Sequence, residues 1–130
     1  MKRDMDLVRN LLLEIEASEK PALYISDLIS ADRLNGIDQP TIELHLKLLI
    51  EAGLIDANQK QGSSTVGGWY VRRLTWDGHE FLDTMRDPEI WRKTKEGASA
   101  AGSWSIAALK EIGTALLKAK VQSVLGIEPS

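Results

Sequence analysis

Residues 34–55 read Leu34-Asn35-Gly36-Ile37-Asp38-Gln39-Pro40-Thr41-Ile42-Glu43-Leu44-His45-Leu46-Lys47-Leu48-Leu49-Ile50-Glu51-Ala52-Gly53-Leu54-Ile55. Asn35-Gly36 is a turn signal in which the glycine accepts positive φ. Asp38 stands where a helix N-cap is wanted, and Pro40 falls in the first turn, where a missing N–H costs nothing. The spacing of Ile42, Leu46 and Leu49 predicts an amphipathic helix with those three inward. Gly53 ends it as a C′ glycine, and Leu54-Ile55 starts a strand.

Upstream, Met5, Val8, Leu11, Leu12 and Ile15 predict a first helix, capped by Asp4 and stopped by Pro21. A short β-prone stretch, 22–25, and a second helix carrying Leu28 and Ile29 fill the gap to the turn. Downstream, the polar, glycine-containing segment 58–68 joins two strands, the second being Trp69-Tyr70-Val71-Arg72-Arg73-Leu74. Thr75 then caps a helix holding Trp76, His79, Phe81, Leu82 and Met85, and Asp87-Pro88 opens another that runs to about Lys95. The order is helix, short strand, helix, turn, helix, hairpin, helix. That is the winged helix-turn-helix arrangement: a mostly α fold with a small β-hairpin. We expect this domain over residues 1–96, a flexible linker of small residues over 97–103, and a C-terminal amphipathic helix over 104–126.

Two resemblances agree. The segment ending His45-Leu46-Lys47-Leu48-Leu49-Ile50-Glu51-Ala52-Gly53-Leu54-Ile55 resembles the turn and recognition helix of bacterial winged-helix repressors. That block, the start Met1-Lys2-Arg3-Asp4-Met5-Asp6-Leu7, Arg72-Arg73-Leu74-Thr75-Trp76-Asp77-Gly78-His79-Glu80-Phe81-Leu82-Asp83 and Ile90-Trp91-Arg92-Lys93-Thr94-Lys95 are together similar to a bacterial and prophage family of small winged-helix proteins of unknown function. The resemblance covers roughly the first three quarters of the chain. It implies a fold and supplies no catalytic or binding residues.

The chain has 130 residues, no cysteine and two histidines, so thiolate chemistry, disulfides and Cys- or His-rich metal sites are excluded. His79 has Asp83 where a metalloprotease helix needs its second histidine; a partly buried structural imidazole paired with Asp83 is the expectation. Asp27, Asp32 and Asp38 do not have calcium-loop spacing, and Gly62-Ser63-Ser64-Thr65 precedes a strand rather than the helix of a phosphate loop. No catalytic residues, metal or cofactor are expected, and the chain is read as a binding protein rather than an enzyme. The N-terminus lacks a signal-peptide pattern and no apolar run spans a membrane, so a cytoplasmic location is expected.

Net charge is −3, with 13 basic and 17 acidic side chains in residues 1–96, so bulk electrostatics do not hold this chain to nucleic acid. Any duplex DNA contact must come from a local face. With Ile42, Leu46 and Leu49 inward, Gln39, Thr41, His45 and Lys47 are the candidate DNA-contacting residues of the helix, and Lys60, Arg72 and Arg73 those of the wing. Glu43 and Leu44 on the same helix favour the alternative, a protein–protein interaction module on this scaffold without DNA binding. Trp76 and Trp91 are expected to pack in the core and lock their helices against the hairpin; a third reading is a small-molecule pocket between Trp69, Trp76 and the first helix. In the last helix Ile106, Leu109, Ile112, Leu116, Leu117, Val121 and Val124 form an apolar arc. On a flexible leash that arc is expected to make a homo-oligomer.

Overall fold

The computed structural model describes residues 2–59 and 69–126. The expected tip of the hairpin, with Lys60, Ser63-Ser64-Thr65 and Gly67-Gly68, lies outside the described residues, as does the side chain of Trp69. The elements are α1 (Met5–Ala17), β1 (Leu23–Tyr24), α2 (Ile25–Ile29), a single 3-10 turn (Asp32–Leu34), α3 (Gln39–Glu51), β2 (Ile55–Gln59), β3 (Trp69–Leu74), α4 (Trp76–Asp83), α5 (Pro88–Ala101) and α6 (Ile106–Leu125). The protein is mostly helical with one small antiparallel sheet of order β1-β3-β2. It divides into two compact units, residues 1–80 and 81–130, with α4 running across the boundary.

In the first unit, α1 begins at Asp4, whose carboxylate accepts the N–H groups of Asp6 (3.0 Å) and Leu7 (3.2 Å). This satisfies two of the donors that every helix start leaves orphaned. Met5, Leu7, Val8, Leu11, Leu12 and Ile15 are buried along one face. Asp38 is the N-cap residue of α3, as its position in the sequence implies, but its carboxylate accepts the Thr41 hydroxyl at 2.7 Å instead of a backbone N–H. Ile42, Leu46 and Leu49 are buried as expected. Gly53, at φ 73°, reverses the chain into β2.

Strand β3 is central, pairing Leu23 with Val71 and Tyr24 with Tyr70 on one side. On the other side Asp56 faces Arg73 while Ala57 faces Val71. One residue of β2 is thus followed by its neighbour while β3 advances by two, and Arg72 is the bulged residue. Strict alternation would set Val71 and Leu74 on opposite faces. The bulge lets both be buried and leaves Arg72 and Arg73 both exposed. The junction to α4 is held by Thr75, whose hydroxyl donates to the Gly53 carbonyl (2.6 Å) and accepts the Gly78 N–H (3.0 Å). At Gly78 only a hydrogen fits, because a Cβ there would lie 2.0 Å from the Leu54 carbonyl oxygen.

The second unit is a helical hairpin, and it corrects the linker expectation. Residues 97–101 are the last turns of α5, and the chain turns only at Gly102. The small residues that suggest flexibility serve close packing instead. Ala98 is fully buried, and the missing side chain at Gly97 admits Ile112 of α6. Asp87 caps α5 through the N–H groups of Glu89 and Ile90, and Ser105 caps α6 through Ala108. Lys120 of α6 forms an ion pair with Asp87, fastening the far end of the hairpin.

Because α6 is docked on α5, its apolar arc is partly used within the unit. Leu109 is buried, and Ile106, Ile112, Leu116 and Leu117 are partly covered. Leu109 is therefore unavailable to another copy, whereas Val121 and Val124, with Leu125, are exposed. Trp91 is buried, but Trp76 is 77% exposed and locks nothing. His79 is also exposed and stands 3.6 Å from Glu16, not against Asp83, which pairs with Arg86.

Candidate nucleic-acid interface

The candidate residues of α3 separate once their side chains are placed. Gln39 and Lys47 are exposed and Thr41 is half-buried. Gln39 donates to Glu43 at 2.9 Å, which spends its amide on a neighbour four residues along. The Thr41 hydroxyl is committed to Asp38.

His45 is removed from the interface altogether. It is fully buried, its Nε2 accepting the Asp4 N–H at 2.8 Å and its Nδ1 lying 2.8 Å from the Thr41 carbonyl oxygen. The expectation that it faces DNA is corrected for a simple reason: positions 42, 45, 46 and 49 form one stripe of a 3.6-residue helix. The imidazole fills that stripe and finds one hydrogen-bond partner on α3 itself and the other at the start of α1.

The hairpin cations are in the open. Arg73 is 65% exposed at its side chain, with its Nε 3.7 Å from the Asp56 carboxylate and Nη1 donating to the Leu74 carbonyl at 3.0 Å. An ion pair of that length and exposure is worth little and leaves the guanidinium available. Arg72 donates to the Tyr70 hydroxyl at 3.4 Å, with its guanidinium carbon 5.7 Å from the Tyr70 ring centroid. The Arg72 hydrogen bond, then that of Asn58, holds the Tyr70 phenol below its usual range, and the same contact with Tyr70 raises Arg72 above its own.

Lys47, Arg72 and Arg73 thus belong to one compact unit, with Gln39 and Thr41 beside their own acidic partners. On α3, Lys47 shares the accessible surface with Leu44, Glu43 and Glu51. Sequence reasoning misses Tyr24 and Tyr70, whose rings lie 5.9 Å apart on the outer face of the sheet. The signal is present as alternation, since Leu23 and Val71 point inward next to them.

Among the described residues no group of three His, Cys, Asp or Glu side chains is placed to hold a metal ion. Among them, too, no helix is long and apolar enough to cross a membrane.

Known proteins place the chain in a family. Residues 2–104 match the family described as Hypothetical protein (DUF2513), and the chain belongs to that family. It is similar to an uncharacterized protein of Haemophilus influenzae, 31% identical over 118 residues, which span 90% of this chain and 96% of that protein. No solved structure matches it.

Proposed function

We propose that this chain is a winged helix-turn-helix protein of the cytoplasm that binds duplex DNA and regulates transcription, in keeping with the prophage setting its sequence resembles. The element order and the β1-β3-β2 sheet support the fold reading, with α3 as recognition helix and β2–β3 as wing. The observation that carries the function is the bulge at Arg72. It leaves two adjacent guanidiniums exposed on the strand that follows the wing tip. Arginine pairs of this kind suit phosphate contact, which positions a protein on the duplex without reading its sequence. Lys47 adds one cation on α3, and Gln39 becomes a base reader only by giving up Glu43.

Self-association belongs to the same proposal. It rests on the exposed end of α6, where Val121, Val124 and Leu125 lie in the last two turns. Two copies would supply two half-site contacts.

A second reading is favoured by a different observation. The accessible face of α3 carries Glu43 and Glu51 against Lys47, with Leu44 between them. Such a face repels phosphate and suits a protein partner. Binding of a labelled random duplex, followed by fluorescence anisotropy at two salt concentrations, separates the two. A DNA-binding protein loses affinity steeply as salt rises, and no binding at low salt selects the protein-partner reading.

A further inference from the structure

The outer face of the sheet holds a row of side chains, Tyr24, Tyr70 and Asn58, that the duplex reading does not use, beside Arg72, which it does. The Leu23–Val71 pair is buried, so the next pair along β1 and β3, Tyr24 and Tyr70, faces outward. Their rings are tilted at 50° with centroids 5.9 Å apart, and Tyr24 is 48% exposed. Asn58 of β2 is paired with Tyr70 on its other side and brings its side chain within 3.3 Å of the phenol oxygen. A row of three side chains therefore crosses all three strands. Arg72, two residues beyond Tyr70, extends its guanidinium over the Tyr70 ring.

The charges around the row leave it positive. Asp27 is taken by Lys20 at 2.6 Å, and Asp56 lies 3.7 Å from Arg73, so the row is flanked by two carboxylates against Lys20, Arg72 and Arg73. Among the described residues Arg72 has no carboxylate at ion-pair distance. The face thus offers two half-open π surfaces and a cation beside them.

That combination matches one ligand chemistry well. An unpaired nucleobase has a flat face to stack on a tyrosine, and its phosphate complements the guanidinium. A duplex keeps its base faces inside the stack, and an acidic peptide has no use for two rings in a row. We propose that the outer face of the β1-β3-β2 sheet binds a single-stranded nucleic acid segment, with bases on Tyr24 and Tyr70 and a phosphate on Arg72. The site is independent of α3.

The test uses the full chain and a fluorescent oligothymidylate of about twelve nucleotides, followed by anisotropy at low salt. Tyr24→Phe retains the ring and is expected to bind as the parent does. Tyr24→Leu retains the bulk without the π face, and is expected to bind at least about fivefold more weakly. Lys47→Ala is expected to leave this affinity unchanged while weakening duplex binding, and Tyr24→Leu to leave duplex binding unchanged, so the two readings fail separately although they share Arg72. The proposal is overturned if the parent does not bind the oligonucleotide. It is also overturned if Tyr24→Leu and Tyr24→Phe bind alike, or if Arg72→Ala alone abolishes binding while both tyrosine variants retain it, because the face is then a plain anion site.

Discussion

The imidazole of His45, in the middle of α3, accepts the backbone N–H of Asp4 at 2.8 Å and so ties the start of α1 to the inner stripe of α3 across 41 residues of sequence. The Asp4 N–H sits ahead of the helix and has no ladder partner of its own. The fully buried imidazole supplies its partner, and with its Nδ1 on the Thr41 carbonyl both ring nitrogens are satisfied. His45→Ala removes that acceptor and opens a cavity. We expect a loss of roughly 2–4 kcal/mol in chemical denaturation. Duplex affinity of the fraction still folded should be unchanged, since this residue does not reach the surface.

The approach of α4 to the Gly53-Leu54 corner predicts an equally local sensitivity. Gly78→Ala places a methyl group 2.0 Å from the Leu54 carbonyl oxygen, and backbone has to move. The expected cost is about 3 kcal/mol or more, with the Thr75 bridge broken as well. Unchanged thermal stability in this variant would contradict the described junction.

Trp76 offers the opposite outcome. A side chain that is 77% exposed contributes little to the core, so Trp76→Ala should change stability by less than about 1 kcal/mol. Trp91→Ala, in the buried counterpart, should cost about 3–5 kcal/mol. Comparing the two unfolding curves distinguishes this arrangement from one in which both indoles serve the core.

Acid sensitivity should concentrate at the start of α5. The ion pair with Lys120, followed by the Ile90 N–H, holds the Asp87 carboxyl below its ordinary range. A depressed carboxyl contributes stability above its unfolded value of about 3.9, and that contribution is lost as pH falls through the folded value. Asp87→Asn should therefore unfold at lower temperature than the parent near neutral pH, and the gap should close on acidification. A gap independent of pH would place the effect elsewhere.

Much of the architecture is legible in the sequence because its signals are local. Asp4, Gly53 and Asp87 announce helix ends through capping chemistry, and β3 is readable from Trp69 to Leu74 by composition alone. The features that mislead depend on what packs where. His45 resembles a polar surface residue when residue type is weighed above its place in the 42-45-46-49 stripe. Residues 97–101 resemble a linker because small side chains suit both a loose chain and a tight helix contact, and only Ile112 decides between them. Of the interface residues, Arg72 and Arg73 stay exposed through a bulge that no spacing rule announces, while Gln39 and Thr41 are taken up by Glu43 and Asp38.

The central claim is tested most directly by the salt dependence of duplex binding in the parent chain and in Arg72→Ala/Arg73→Ala. If the two guanidiniums engage phosphates, the double variant should bind more weakly at every salt concentration. Its plot of log affinity against log salt should be flatter by about two units, one for each phosphate that is no longer neutralised. Parallel lines for the two proteins, or no duplex binding by the parent at low salt, would contradict the account.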